Sequence, residues 1–340
     1  MPTAAKNMPQ SGDPARELFF SMDRNLALEV VRVTESAALA ASLYVGRGDE
    51  MAADQAAVDA MRTVLNTLNI DGRVVIGEGE RDEAPMLYIG EKVGTGNGPK
   101  IDIALDPLEG TSITAKGGMN ALAVIAMTEE GGFLNAPDTY MQKIAVGPGL
   151  PDNFLDIDEP ADDFVRRLAK AKGASPEQLM ICILDRSRHE DLITKVRKTG
   201  ARITLIQDGD VSAVIAAAEE QSPIDAYIGT GGAPEGVLAA AALQCTGGQM
   251  LGRLIFRNEG EKVRAERMGI SDYSRIYTHD DMAYGPNVMF AATGVTDGPM
   301  LKGVHRYVGG ATTHSVIMRS KTGTIRRIEA THNFTKKPGK

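Results

Sequence analysis

The chain is poor in the residues that define several protein classes. Its 340 residues include two cysteines and no tryptophan. Two cysteines can build neither a disulfide framework nor a zinc cluster. Cys182 lies in the apolar run Met180–Leu184 and Cys245 follows the apolar run 237–243, so both read as small core residues of a reduced, cytoplasmic protein. Eight Phe and eight Tyr are the only aromatics, too few for base-stacking platforms. Positive charge is in deficit, with 37 Lys and Arg against 45 Asp and Glu and a net charge of −8. That excludes a general nucleic-acid binder, whose affinity comes from cations displacing counterions from phosphates. The longest apolar runs reach about eight residues, far short of the ~20 that span a bilayer. Residues 1–16, rich in Pro, Ala, Ser and Gly, lack the apolar core of a signal peptide and read as a tail.

What is present is ordinary for a soluble globular chain: 43% hydrophobic and 24% charged residues. At roughly 100–200 residues per domain, this length predicts two lobes or one large α/β body. Structure is expected from about Met22. Helical spacing predicts helices over 26–43 and 54–68, the second with Asp54 at its start. The β-branched run 73–76 ends in Gly77-Glu78-Gly79-Glu80, the alternating run 101–105 ends in Asp106-Pro107, and 120–127 is an apolar run of strand length. The acidic stretch 152–163 reads as a solvated loop opening a helix. From Leu179 onward, strands 179–184, 202–206 and 225–228 alternate with helices 189–199, 211–220 and 235–244, which implies parallel βαβ units. The runs 287–292, 305–308, 312–319 and 323–331 have short connections and predict an antiparallel edge or small second sheet.

Three carboxylates fall at ends of elements: Asp54 opening a helix, Glu78 just past a strand and Asp106 ending another. Ligands of open α/β sheets bind at the carboxyl ends of strands. Carboxylates converging there repel one another unless a cation lies between them, though each alone has a structural reading, such as a helix N-cap for Asp54. In Asp106-Pro107-Leu108-Glu109-Gly110-Thr111, two carboxylates flank a Pro bend and a hydroxyl follows. These hard oxygen donors suit Mg²⁺ or Mn²⁺, and a Pro-Gly turn capped by Asp would also satisfy this composition. The segment 229–236, Gly-Thr-Gly-Gly-Ala-Pro-Glu-Gly, reads as a glycine-rich turn between strand and helix, where backbone N–H groups can approach an anion. It lacks the Lys-Ser/Thr ending of a P-loop, and Glu235 within it suits a metal or a helix cap. Asp208-Gly209-Asp210 occupies the preceding strand–helix turn, and Arg186 and Arg188, with His189, follow the strand before that. No His-x-x-x-His zinc pair or Ser–His–Asp arrangement is visible.

Gly-Glu-Gly-Glu (77–80) with the continuation Arg-Asp-Glu-Ala-Pro-Met-Leu-Tyr (81–88), Asp-Pro-Leu-Glu-Gly-Thr (106–111) and Gly-Gly-Ala-Pro-Glu-Gly (231–236) resemble class II fructose-1,6-bisphosphatase. This is the bacterial branch of the lithium-sensitive sugar and inositol phosphatases. The resemblance runs from Met22 to about Phe334, with the motifs in the family's order. The wider superfamily's Asp-Pro-x-Asp-Gly-Thr has Glu109 here, as in the class II branch.

The resemblance implies a two-lobed α/β sugar-phosphatase fold with alternating helix and sheet layers and the site between the lobes. The expected division is a tail over 1–21, a metal-binding lobe over 22–150, a sugar-phosphate-binding α/β lobe over 151–334 and a tail over 335–340. It also implies metal ligands at Asp54, Glu78, Asp106, Glu109 and Glu235, catalytic roles for Asp106, Glu109 and Thr111, and Thr111 orienting the attacking water. Sugar-phosphate contacts are implied at Glu109, Gly110, Thr111, Tyr140, Arg186, Ser187, Arg188, Asp208, Gly209, Asp210 and Gly232. The implied reaction is Mn²⁺- or Mg²⁺-dependent hydrolysis of the 1-phosphate of fructose 1,6-bisphosphate, in gluconeogenesis, by a cytoplasmic homo-oligomer with neither nucleic-acid nor membrane partners. Two alternatives share these residues: a bisphosphatase acting also or mainly on sedoheptulose 1,7-bisphosphate or on an inositol phosphate, and a non-catalytic sugar-phosphate-binding regulator. The second has no use for a full set of carboxylates with Thr111. A nicotinamide dehydrogenase is disfavoured because no Gly-x-Gly-x-x-Gly follows a strand.

Overall fold

The computed structural model describes residues 14–79 and 86–336, the segment 14–25 as backbone. Residues 1–13 and 337–340, and 80–85 of the motif quoted above, lie outside the described residues. In chain order the elements are α1 (Pro14–Ala41), α2 (Glu50–Leu65), β1 (Asp71–Ile76), β2 (Lys92–Val93), β3 (Lys100–Glu109), α3 (Thr111–Lys116), β4 (Leu122–Glu129) and β5 (Tyr140–Val146). There follow α4 (Ala161–Ala171), β6 (Met180–Leu184), α5 (Glu190–Lys198), β7 (Arg202–Ile206), α6 (Asp210–Ala218), β8 (Ala226–Gly232) and α7 (Ala233–Thr246). The chain closes with β9 (Gln249–Ile255), α8 (Glu259–Arg267), β10 (Ile276–Thr278), α9 (His279–Met282), β11 (Met289–Gly294), β12 (His305–Tyr307), β13 (Gly310–Arg319) and β14 (Thr324–Asn333).

The strands form two sheets. The first runs β12-β13-β11-β4-β3-β1-β2, with β14 on the other side of β13, and the second runs β10-β9-β5-β8-β6-β7. Three apolar cores separate them into layers. Ala27, Val30, Ala57 and Met61 of α1 and α2 pack on Ile103, Leu105, Ile125 and Ala291 of the first sheet. The sheet's opposite residues, Ala104, Val124, Ala126 and Ala292, join α7 and the inner face of the second sheet through Met141, Ala145 and Tyr227. The outer face of that sheet, Ile144, Ile181 and Ile183, is covered by Phe164 and Leu168 of α4 and Val196 of α5. Successive strand residues point to opposite faces, so β4, apolar from Leu122 to Met127, feeds two cores at once. Helix and sheet layers therefore alternate, as expected. Helix α7 lies between the sheets and buries nearly every face, from Ala233 and Gly236 to Leu243 and Cys245. A helix apolar all round is one buried all round. Both cysteines are buried and unpaired, which agrees with their reading as core residues.

Several expectations are corrected. The described part of helix α1 starts at Pro14, so 14–21 are helix rather than tail. The sheets do not divide at residue 150. Strand β5 joins the second sheet, and β11–β14 return to the first, where β11 pairs antiparallel with β4. The expected parallel unit is present as β6, β7 and β8; in that sheet β5 enters antiparallel between β8 and β9. The acidic stretch is, as expected, a solvated loop opening α4: Asp158 pairs with Arg253 and Glu159 with Arg167, and Asp162, in the first turn of α4, pairs with Arg166.

Because α7 is shared by both sheets, truncating it should loosen the whole molecule. Leu243→Ala, at a fully buried position, is expected to cost about 2–5 kcal/mol. Denaturant unfolding should show one transition at lower midpoint; an unchanged midpoint would contradict this packing.

Candidate active site

Strand β3 sets the site. Its pairing with β4 slips between Asp106 and Glu109: Asp106 faces Val124 and Glu109 faces Leu122, three steps against two. This is a β-bulge, and Pro107 fits there because a bulge needs no ladder N–H from it. The expected Pro-bent turn is therefore continuous strand. In a regular strand, residues three apart point to opposite faces; the extra residue brings Asp106 and Glu109 to one side. The Leu108 N–H donates to Asp106 Oδ1 at 3.0 Å. Gly110 follows at φ 94°, a left-handed value, and turns the chain into α3 with Thr111 first.

The other acids arrive from neighbouring elements. Glu78 follows β1, which lies parallel to β3 with Ile76 beside Ala104. Gly77 is needed before it, since a Cβ there would lie 2.1 Å from the Leu87 carbonyl oxygen. Asp54 does not open α2: Asp49 is the cap, accepting the Ala52 N–H at 2.9 Å. That places Asp54 one turn in, with its carboxylate toward the site rather than spent on the helix end. The segment 229–232 is strand, not a turn, and β8 runs directly into α7. Its glycines make room for side chains: a Cβ on Gly231 would lie 2.1 Å from Asp210 Oδ2, and on Gly232 1.9 Å from Glu235 Oε2.

These parts enclose a cavity of about 390 Å³ lined by Asp54, Glu78, Asp106, Glu109, Gly110, Thr111, Asp208, Asp210 and Glu235. Asp138, which the sequence reading missed, lines it too. Burial, then repulsion from Asp54, pushes Glu78 up to about 8. Burial, then Asp210, pushes Glu235 up to about 7. Asp106 and Glu109 are held well above the carboxylate range, first by burial; Glu78 and Glu235 add to this for Asp106, and Asp106 and Asp210 for Glu109. Burial also raises Asp54 and Asp208. Glu109 Oε1 accepts the Val211 N–H at 2.9 Å, but Glu109 Oε2 and Glu235 Oε2 are buried without a hydrogen-bond partner. Among the described residues no three Asp, Glu, His or Cys side chains close into a ready-made metal cluster. The five expected ligands thus share one cavity without converging on one point. Their chemistry, hard oxygens with raised proton affinity and two orphaned atoms, fits a divalent cation of the Mg²⁺ or Mn²⁺ kind.

The remaining expected contacts lie beside the cavity rather than on its wall. Tyr140 pairs with Gly232 across β5 and β8. The Arg188 guanidinium lies over the Tyr140 ring at 4.8 Å and donates to the Thr230 carbonyl oxygen at 3.0 and 2.6 Å. Arg257, unforeseen, also lies 4.8 Å from that ring. Arg186 donates to the Asp185 carbonyl and is half-buried, whereas Ser187 is exposed. Gly209, at φ 85°, turns the chain into α6. His189 is buried as a strut: its Nε2 accepts the Thr230 N–H at 2.8 Å, so Nδ1 carries the proton toward the Leu184 carbonyl. Burial lowers its pKa, consistent with a neutral ring. Lys143 and Tyr227, both bonded to Asp210, also escaped the sequence reading. The available signal was a lone Lys amid the apolar residues of β5.

A cavity walled by hard carboxylates, with a hydroxyl at a helix start beside them, describes a metal-dependent phosphatase. The chain belongs to the family "Bacterial fructose-1,6-bisphosphatase, glpX-encoded", whose match covers residues 24–332. It is 48% identical over 329 residues to fructose-1,6-bisphosphatase 1 class 2 of Escherichia coli K12, covering 93% of this chain and 97% of that protein. The same figures hold for the class 2 enzymes of E. coli O6:H1 and Shigella flexneri. Among the described residues no helix is long and apolar enough to cross a membrane.

The raised carboxylates dictate a pH dependence. Between the ordinary carboxylate pKa and about 8, the metal-free native state binds more protons than the unfolded chain, so its stability falls as pH rises. The melting temperature of chelated protein should drop between pH 5.5 and 8.5, and Mg²⁺ or Mn²⁺ should raise it more at pH 8.5 than at 5.5. A pH-independent melting temperature in chelator would refute this account.

Proposed function

We propose that this chain hydrolyses the 1-phosphate of fructose 1,6-bisphosphate to fructose 6-phosphate and phosphate, a gluconeogenic step. The observation that carries the reading is that Asp54, Glu78, Asp106, Glu109, Glu235 and Thr111 line one cavity in a chain 48% identical to named fructose-1,6-bisphosphatases. Asp54, Glu78, Asp106, Glu109 and Glu235 would hold Mg²⁺ or Mn²⁺. When bound, such a cation supplies charge neutralisation for the phosphate and an acidified water. Without it the acidic wall repels an anionic substrate.

The protein's own groups do the orienting. Thr111, fixed at the start of α3 by Gly110, directs the attacking water through its hydroxyl, and the bulge keeps Asp106 and Glu109 on the same side as it. Asp208 and Asp210 accept from sugar hydroxyls. Arg186, Ser187, Arg188 and Tyr140, beside the cavity, meet the phosphate that is not cleaved, where Arg188 supplies a planar, always-charged donor. We further take the protein to be a cytoplasmic homo-oligomer.

Activity should vanish in chelator and return with Mg²⁺ or Mn²⁺; full turnover in protein verified metal-free would end the metal reading. Phosphate release from fructose, sedoheptulose and inositol phosphates in parallel ranks the substrates, and no release from any would favour a sugar-phosphate-binding regulator. Thr111 gives the sharper test. Positioning contributions are typically ~10²–10⁴-fold, so Thr111→Ala should lose at least about two decades of kcat with little change in KM, and Thr111→Ser much less. A raised KM at near-normal kcat would make Thr111 a phosphate ligand instead.

A further inference from the structure

The mechanism above leaves one buried charge unused. Lys143, in the middle of β5, is 1% exposed and is the buried lysine among the described residues. A buried ammonium is retained only where it is paired and hydrogen-bonded. Lys143 Nζ is ion-paired with Asp210 and donates to the Gly232 carbonyl oxygen at 2.9 Å. The same Asp210 oxygen accepts from Tyr227 Oη at 3.2 Å. The surrounding glycines leave space for this side chain: a Cβ on Gly231 would lie 3.1 Å from Lys143 Nζ, and one on Gly236 3.5 Å from Lys143 Cδ.

The partners of Lys143 belong to two separate walls of the site. Asp210 begins α6, and the next N–H, that of Val211, holds Glu109 Oε1. Gly232 ends β8, and its α-carbon backs directly onto the Glu235 carboxylate. One ammonium thus ties the start of α6 to the end of β8, and through them Glu109 to Glu235. Asp210, Glu109 and Glu235 all line the cavity; Lys143 reaches it only through them.

We propose that Lys143 is a positioning residue of the phosphatase reaction, the brace that fixes the Asp210 and Gly232 walls relative to one another. The proposal rests on the functional reading above. Lys143→Met keeps the approximate length of the side chain and removes the charge and the donors. It should raise KM for fructose 1,6-bisphosphate and the Mg²⁺ or Mn²⁺ concentration for half-maximal activity, with a loss of at least about tenfold in kcat/KM. Lys143→Arg should retain most of the activity. Asp210→Asn combined with Lys143→Met should be no worse than Asp210→Asn alone, because the brace is already broken. Amide hydrogen exchange should rise together at 208–212 and 230–236 in Lys143→Met and stay unchanged elsewhere.

Multiplicative losses in the double variant, a Lys143→Met enzyme with normal KM and metal requirement, or exchange that rises evenly along the chain would each overturn the proposal. If Lys143→Met does not fold because Asp210 is stranded, the double variant should fold, and its failure would overturn the pairing as the reason. The exchange measurement needs no turnover. A wild-type protein that releases no phosphate would therefore sink the functional reading while the brace is still judged on its own.

Discussion

Mutual repulsion among buried carboxylates is the constraint on which the rest of this structure turns. Each of Asp106, Glu109, Glu78 and Glu235 is pushed toward its neutral form first by burial and then by another of the acids. Left to itself such a cluster disperses or neutralises. Here the backbone prevents dispersal. Asp106 and Glu109 are fixed by a bulge in a strand buried on both faces, Glu78 by a glycine pressed on a carbonyl oxygen, and Glu235 by the first turn of a buried helix. What remains is a high affinity for positive charge, proton or metal, held in a cavity that admits a small polar ligand. Geometry that resists relaxation is what makes the acid set useful.

Glycine and lysine perform the same task on the other wall. The glycines of β8 look in sequence like a phosphate-cradling turn, yet they form regular strand and serve close packing. Gly231 and Gly232 let Asp210 and Glu235 press against the backbone, at distances no Cβ would allow. Lys143, the buried lysine among the described residues, pairs with Asp210 and donates to the Gly232 carbonyl oxygen beside Glu235. Its field partly offsets the crowding of Glu235, which Asp210 increases and Lys143 decreases.

The layered α/β class, the strand–helix alternation after Leu179 and the acids on strand and helix ends were legible because each leaves a local trace: periodicity, β-branched runs and short motifs. The bulge at Pro107 was not, because its signature is a pairing count between two strands and no single segment contains it. Nor was the return of β11–β14 to the first sheet, since periodicity identifies a strand but not its neighbour. Asp54 was placed at the wrong point of its helix because Asp49 competes for the same capping role, and only geometry decides between two acids a turn apart. Lys143 was hidden by its element: β5 was not recognised as a strand, so a lysine facing the core could not be distinguished from one facing water. The family motifs supplied the expected ligand set and the glycines packed against it, but not Lys143.

Helix α7 joins stability to function more tightly than any motif does. It packs on both sheets, and it carries Glu235 in its first turn. Glu235 therefore faces Asp106 of β3 and Asp210 at the start of α6. A shift of α7 by a fraction of an ångström alters both separations at once, and interiors packed at crystal density transmit such shifts instead of absorbing them. The alanine-rich body of α7 lets the two sheets approach, yet offers few large side chains to anchor the helix against the outward push of its own acidic end. A cation held by Glu235 and its neighbours, as proposed, would reverse that push. On the proposed reading, the cation that would supply the chemistry would also ease the repulsion between the layers, so occupancy of the site and tightness of the middle core should rise and fall together.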